Sequence, residues 1–365
     1  MTAPQTIDDL PTPVILVDEE QLDRNILGMQ RACDEAGVEL RPHIKTHKLV
    51  PVAARQLAAG ARGLTCAKLG EAEAMLASGA REMFVAHSLV DPRQAPRVAA
   101  LAERLDDFRV AATSGEQAGA LENLAARTGR KLAVMMAIDT GLGREGARDA
   151  KAAARLAAVI ARCTHLDLRG FYTHEGWFYG APFTPGDQRV ETMIESLCAA
   201  RDAIDPGLPV WPGCSVTAQD VAARSTGRVQ AVRPGAYVFG DLALTAVTGV
   251  MRSGEVALHV LATVIDKPSP GLALIDAGSK TFSSDRTPAG IFALPADGRD
   301  FSVSRVNEEH GYVTGAGADA LRVGERVPFV PAHVCTVVNL ADEVVVRRRH
   351  EVAARWRVDA RGCSQ

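Results

Sequence analysis

The sequence predicts an α/β chain in two parts, a (β/α)8 TIM barrel over residues 20–245 and a mostly antiparallel β domain over 246–365. Three observations carry this. Between about residues 20 and 240, short apolar runs alternate with Ala-rich helical stretches, and eight such runs can be counted, the number that closes a parallel barrel. The span is close to the roughly 250 residues such barrels occupy. Beyond about residue 245 the helical period fades, and β-rich segments follow one another between Gly, Pro and Asp turns.

The barrel strands are expected at Val38–Ile44, Gly63–Ala67, Met83–Ala86, Phe108–Ala112, Leu132–Ile138, Leu168–Tyr172, Val210–Pro212 and Val229–Val232. Helical patterns at Val52–Ala59, Gly70–Ala77, Ala95–Leu105, Ser114–Arg127, Ala150–Arg162 and Gln188–Ala203 separate them. The β domain is expected from Val256–Ile265, Gly271–Ile275, Phe301–Val303, Val327–Val330, Thr336–Asn339 and Glu343–Arg347. Pro13–Val17 has no partner in the barrel count, so residues 1–19 are assigned to the β domain.

Composition excludes several classes of function. With 47% hydrophobic and 23% charged residues and a net charge of −3, the chain offers no field to attract nucleic acid or an anionic membrane. The only basic run, Arg347-Arg348-Arg349-His350, follows Val344-Val345-Val346 and reads as a solvated strand end. No apolar stretch approaches the roughly 20 residues of a membrane helix, and the first residues have neither the basic nor the apolar region of a secretion signal. Seven scattered cysteines with no Cys-x-x-Cys pair suit a reducing cytoplasm rather than a disulfide framework.

Chemistry concentrates at predicted strand ends. In Val38-Glu39-Leu40-Arg41-Pro42-His43-Ile44-Lys45, alternation sends Val38, Leu40, Pro42 and Ile44 towards the helices and Glu39, Arg41, His43 and Lys45 into the barrel. Lys45 then stands at the C-terminal mouth, where barrel active sites lie. Thr46 is expected to cap the next helix, with Lys48 in its first turn. The same pattern fits two surface lysines in a strand-to-helix loop equally well. Ile138–Gly146 is a Gly-rich turn that presents Arg144, either to the mouth or to a surface salt bridge. Thr173-His174 ends another strand, where a histidine by itself reads as structural at least as readily as catalytic.

Gly213-Cys214-Ser215-Val216-Thr217 and Arg233-Pro234-Gly235-Ala236-Tyr237 follow the seventh and eighth strands, the usual phosphate position in such barrels. Ser215 and Thr217 offer hydroxyls, and Gly235 and Ala236 allow close backbone approach. In Pro331-Ala332-His333-Val334-Cys335, His333 and Cys335 at i and i+2 of a strand share a face. Imidazole with thiolate favours zinc, and two protein ligands leave coordination positions open. Asp276–Thr281 and Asn307–Gly311 read as turns with polar tips.

Arg41-Pro42-His43-Ile44-Lys45-Thr46-His47-Lys48 resembles the cofactor-lysine motif of the D-threonine aldolase and D-serine dehydratase family, fold-type III pyridoxal phosphate enzymes related to alanine racemase. The likeness runs from Thr12-Pro13 to Glu343 through several motifs in order. It implies that Lys45 holds pyridoxal 5'-phosphate as a Schiff base and serves as the base at the substrate α-carbon. Arg144 is implied near the phenolic oxygen, His174 against the ring, and Arg233 at the pyridine nitrogen as in alanine racemase. Ser215, Thr217, Gly235, Ala236 and Tyr237 are implied at the phosphate. Relatives read Gly-Ser-x-x-Thr where this chain has Gly213-Cys214-Ser215-Val216-Thr217, which leaves open which hydroxyl reaches the phosphate.

The pair His333/Cys335, followed by Val338-Asn339-Leu340, is similar to the family's metal site. Zinc is the expected metal, with manganese or magnesium as alternatives. Histidine with cysteine is the dehydratase pairing and histidine with aspartate the aldolase one, so Cys335 points to β-elimination. The resemblance implies a D-3-hydroxy amino acid as substrate, and a homodimer with Glu309 and His310 near the metal or substrate of one subunit or the other. Retro-aldol cleavage is the alternative reaction, in which His174 or a metal-bound water would be the base. An amino-acid racemase and a non-enzymatic pyridoxal phosphate carrier are the remaining readings.

Overall fold

The computed structural model describes residues 5–365. The first strand, β1 (Val14–Asp18), stands apart from the barrel. The barrel is built from β2 (Glu39–Leu40), β3 (Leu64–Cys66), β4 (Glu82–Ser88), β5 (Asp107–Ala112), β6 (Leu132–Ala137), β7 (Leu166–Tyr172), β8 (Val210–Trp211) and β9 (Ala231–Val232). Strands β3 to β8 pair in chain order, all parallel, and β2 pairs with β9. Two backbone seams close the ring. Leu40 and Pro42 carbonyls accept from Arg62 and Thr65 at 2.9 and 2.8 Å, and Val210 and Pro212 carbonyls accept from Gln230 and Arg233 at 3.3 and 3.1 Å. All eight expected barrel strands therefore form in the expected order.

The three strands of only two residues lie beside Pro42, Pro209, Pro212 and Pro234. Proline has no N–H to give a ladder, so pairing thins there. Several helices between the strands start on side-chain caps. Asp18 accepts from Gln21 N–H at 2.9 Å and Ser114 from Gln117 N–H at 3.1 Å. Inside, Phe84, Met135, Tyr172 and Trp211 pack with Ala111, Ala137 and Ala231. Large side chains opposite small ones fill the lower barrel and leave the upper mouth open.

The second domain comprises β10 (Leu258–Ser269), β11 (Leu272–Ile275), β12 (Ala293–Pro295), β13 (Ser302–Val306), β14 (Gly311–Thr314), β15 (Arg326–Pro331), β16 (Glu343–Arg348) and β17 (Glu351–Arg357). Strands run β11-β14-β13-β12-β15-β10, and β10 also pairs with β11, which closes a small antiparallel barrel. Register shifts at Val264/Asp266 and Asp266/Ser269 let the long β10 serve both neighbours. β1 lies between β10, antiparallel, and β16, parallel, with β17 at the edge.

Two local expectations are corrected. Thr336–Asn339 is not a strand but part of a helix, Val334–Leu340. The run is rich in β-branched residues, yet its buried positions are Val334, Val337 and Val338, spaced for a helix face. Lys45 is not the last residue of a strand, because the ladder ends at the His43–Thr65 bridge and Ile44–Thr46 is a 3-10 turn. Thr46 caps nothing; the next helix begins at Val50, with Leu49 at its cap and Pro51 in its first turn.

Candidate active site

A cavity of about 890 Å3 lies at the C-terminal mouth of the barrel, closed from the far side by β-domain residues. Lys45, Arg144, His174, Ser215, Arg233, Gly235, Ala236, His333 and Cys335 all line it. Thr217 and Tyr237 do not.

The two lysines of the motif separate sharply. Lys48 is buried, adopts φ +53°, and pairs with Glu71 at 3.3 Å. Lys45 faces the cavity and forms no ion pair with a carboxylate among the described residues. A lysine already matched to a buried carboxylate is a structural charge, whereas the one without a partner is available to a ligand. The turn at Ile44–Thr46 aims Lys45 while Ile44, fully buried, anchors it.

His174 follows β7, and its Nδ1 donates to the Gly213 carbonyl. Burial, followed by the nearby Lys45 charge, pulls this imidazole down to about 3. It is therefore neutral, with the proton on Nδ1 and a lone pair on Nε2. His43, on the cavity wall, is likewise held neutral by burial and then by Lys45 and Arg233.

Arg233 is buried beneath the cavity floor. Its guanidinium donates to the Trp211 carbonyl at 3.2 Å and to the Thr173 carbonyl, and it lies 5.2 Å from the Tyr172 ring centre. Burial lowers it to about 10, partly offset by the Glu175 charge. A Cβ at position 213 would sit 2.7 Å from Arg233 Cζ, so Gly213 is required for the strand-eight loop to pass over it. Arg144 stands half-exposed at the rim, paired with Glu145 at 2.8 Å. It thus combines both expected placements, the mouth and a surface salt bridge.

The phosphate loops meet through Ser215, whose Oγ accepts from Gly235 N–H at 3.0 Å and keeps its own hydrogen for another acceptor. A Cβ at position 235 would lie 2.8 Å from Thr46 Oγ1. Two expected members of this group are corrected. Thr217 is fully buried and donates its hydroxyl to Glu175 at 2.8 Å, and the same carboxylate accepts from Gly213 N–H at 3.1 Å. Tyr237 points away, and its hydroxyl accepts from Gln56 at 2.9 Å. In both cases a buried polar partner elsewhere claims the side chain. Of the two hydroxyls, Ser215 faces the cavity and Thr217 does not.

The two expected metal ligands sit in a local structure other than the expected strand. His333 and Cys335 are not on one strand face, because β15 ends at Pro331, His333 caps the helix Val334–Leu340, and Cys335 lies within it. They still face the cavity together. Cys335 Sγ lies 3.2 Å from Thr46 Oγ1. Burial pushes its thiol up, but His333, Lys45 and Thr46 outweigh that and bring it below the ordinary range, favouring thiolate. Thiolate with imidazole suits zinc. Among the described residues no three His, Cys, Asp or Glu side chains gather for a metal. Two donors would leave the remaining coordination positions open to water or substrate oxygens.

Several site residues carried no recognisable sequence signal. Asp241 is fully buried and accepts from His333 Nδ1 at 2.9 Å across 92 positions of chain. Glu175 ties the loops after β7 and β8. Tyr179 and the segment Asp285–Pro288 line the cavity; for Tyr179, the aromatic turn Gly176–Gly180 directly after His174 was an available clue. Glu309 pairs with Lys280 at 2.7 Å at an exposed hairpin tip, and neither Glu309 nor His310 reaches the cavity within the chain.

The barrel, the lysine at its mouth and the β domain closing over it define an enzyme with an alanine racemase-like fold. Residues 17–243 match the family described as alanine racemase, N-terminal domain, and residues 257–347 match a putative serine dehydratase domain. The chain is 35% identical over 358 residues to D-threo-3-hydroxyaspartate dehydratase of Delftia sp. (strain HT23), covering 90% of this chain and 92% of that one. It is 29% identical over 364 residues to D-threonine aldolase of Arthrobacter sp, covering 97% and 93%. The crystal structure of D-threonine aldolase from Filomicrobium marinum superposes with a TM-score of 0.89 at 28% identity, covering 100% of both chains. The chain therefore belongs to the D-threonine aldolase and D-serine dehydratase family of pyridoxal phosphate-dependent lyases.

Two solved variants of a D-threo-3-hydroxyaspartate dehydratase bear on the His333/Cys335 pair. A histidine-to-alanine variant superposes with a TM-score of 0.87 (30% identity, 98% and 97% coverage). A cysteine-to-alanine variant, described as metal-free, superposes with a TM-score of 0.85 (30% identity, 97% and 98% coverage). The two substituted residues are two positions apart in that chain, the spacing of His333 and Cys335.

Proposed function

We propose that this enzyme is a zinc-dependent dehydratase for D-3-hydroxy amino acids that releases a 2-oxo acid and ammonia. The observation that carries the reading is one cavity with Lys45 on the barrel side and the His333/Cys335 donor pair on the other. Bound pyridoxal phosphate supplies an electron sink for the α-carbon, and bound zinc supplies Lewis acidity at the 3-hydroxyl.

The chain's own residues divide the remaining work. Lys45 would hold the cofactor, and its Nζ, as a free amine, would take the α-proton. Ser215, Gly235 and Ala236 hold the phosphate, with hydroxyl and backbone groups at the ends of the last two strands. Arg144 at the rim offsets the cofactor's phenolic oxygen. Arg233, fixed by two carbonyls below, would stand as a cation towards the ring nitrogen. Neutral His174 would pack against the ring. His333 and Cys335 would hold the metal through nitrogen and sulfur, on the wall of the cavity contributed by the β domain. Net loss of water followed by hydrolysis of the C–N bond gives the 2-oxo acid and ammonia. The active assembly is a homodimer, and all seven free cysteines suit the cytoplasm.

A specific feature also supports retro-aldol cleavage: His174 Nε2 carries a free lone pair and can accept the 3-hydroxyl proton. Two of the similar proteins are named as aldolases. Incubation with D-serine, D-threonine and D-threo-3-hydroxyaspartate distinguishes the reactions. 2-Oxo acid with stoichiometric ammonia is expected, and glycine with an aldehyde as the main products would overturn the elimination reading.

A further inference from the structure

We propose that Asp241 is a positioning residue that sets the tautomer and aim of His333, so that the barrel, rather than the β domain carrying the ligands, fixes the zinc relative to Lys45. The inference rests on the zinc reading above. Asp241 lies in the segment that leaves the barrel after β9, and it is fully buried. Its Oδ1 accepts from Leu244 N–H at 3.0 Å. Its Oδ2 accepts from His333 Nδ1 at 2.9 Å and from Val334 N–H at 3.1 Å. Three donors compensate a carboxylate that water does not reach.

A carboxylate only accepts, so the proton of a neutral His333 must sit on Nδ1. Nε2 is then the one ring nitrogen left to bind a metal. The bond to Val334 N–H fixes the backbone immediately beyond the ring. Leu242 and Ala243 N–H groups donate to the Pro331 and Ala332 carbonyls at 3.0 and 3.3 Å, strapping the other side of the same loop. The second donor is secured from the barrel as well, since Cys335 Sγ lies 3.2 Å from the hydroxyl of Thr46, the neighbour of Lys45. Both ligands are thus held by barrel residues.

The test compares wild-type holoenzyme with D241N and D241A. Zinc is quantified per chain by atomic emission, and its release to a chromogenic chelator is timed. The wild type should hold one zinc per chain. D241A should lose about 10–100-fold in zinc affinity, the usual effect of removing a partner behind a metal-bound histidine. D241N, which can still accept from Leu244, should lose less. The absorption band of the Lys45–cofactor imine should be unchanged in both. Zinc affinity within twofold of wild type in the variants overturns the proposal, even where their melting temperature falls, because Asp241 would then be only a cap. If D241A does not fold, the same twofold criterion applies to D241N alone. Wild-type protein that takes up no zinc overturns the zinc reading and this inference together. Zinc uptake with unaltered affinity in the variants overturns this inference only.

Discussion

At the N-terminal mouth of the barrel a cavity of about 1030 Å3 is walled by Arg41, Arg62, Arg109, Arg130 and Arg169 among carboxylates. At the C-terminal mouth a cavity of about 890 Å3 is walled by Lys45, Arg144, Arg233, Arg286, three histidines and two cysteines. Size and charge are similar, and the pairing differs. Below, Arg41 meets Glu82 at 2.7 Å, Arg62 meets Glu82 at 2.8 Å, Arg109 meets Asp107 at 2.6 Å and Arg169 meets Asp167 at 2.6 Å. Arg41 and Arg109 also sandwich Trp211, at 4.4 and 4.6 Å from its ring. Above, Lys45 and Arg233 have no carboxylate within ion-pair distance among the described residues, and the carboxylate Asp241 accepts from His333 instead. Pairing leaves the lower charges little to offer a ligand, whereas Lys45 above keeps its charge unpaired and open to one. This agrees with the general division of such barrels into a stability face and a reaction face.

The largest break in the comparison should come from Lys45→Ala. It is expected to abolish turnover and the visible imine band while leaving the fold intact; a surviving band would show that another lysine holds the cofactor. His333→Ala and Cys335→Ala should each eliminate bound zinc and lower kcat by about a thousandfold, the several kcal/mol a Lewis acid supplies. Turnover of D-serine at wild-type rate by zinc-free protein would refute the metal's role. At the opposite mouth, Trp211→Ala should cost about 3–5 kcal/mol of stability, read from denaturant unfolding. Its effect on KM should be small, because Trp211 lies beneath the reacting groups.

A smaller effect is expected from pH. Burial holds His174 and His47 near 3 against an ordinary value of 6.5. Unfolded chains bind these protons first, so stability is complete above about pH 6.5 and falls as the pH drops towards 3. At pH 5 each histidine should cost about 2 kcal/mol, and unfolding curves that coincide at pH 7 and pH 5 would contradict their burial as neutral rings. The smallest effect belongs to Arg62→Ala, a half-exposed partner in the lower network. It should alter stability by at most about 1 kcal/mol and kcat/KM by less than twofold, and a larger loss in kcat/KM would mean the lower mouth takes part in the reaction.

Much of the site could be read from local sequence because strand ends mark themselves. Apolar runs followed by Gly, Ser, Thr or a lone cation placed Lys45, Arg144, His174, Ser215 and Gly235 at one mouth before any contact was visible. The failures share a cause. Thr217 and Tyr237 have the right residue types in the right loops, but Glu175 and Gln56 take their hydroxyls. The helix at Val334–Leu340 was hidden by β-branched residues, and its burial face emerges only against the barrel.

The sequence by itself determined the count and order of the barrel strands, the second β domain, the lysine motif and the His333/Cys335 pair. These are encoded by short-range periodicity and by residue types that few other roles require. Tertiary structure alone decided that Lys48 pairs with Glu71 while Lys45 stays free, that Ser215 rather than Thr217 faces the cavity, and that Asp241 stands behind His333. Each of these is a choice of partner for a polar group out of water. Such choices depend on which atoms the fold brings within about 3 Å, and local sequence carries no record of that.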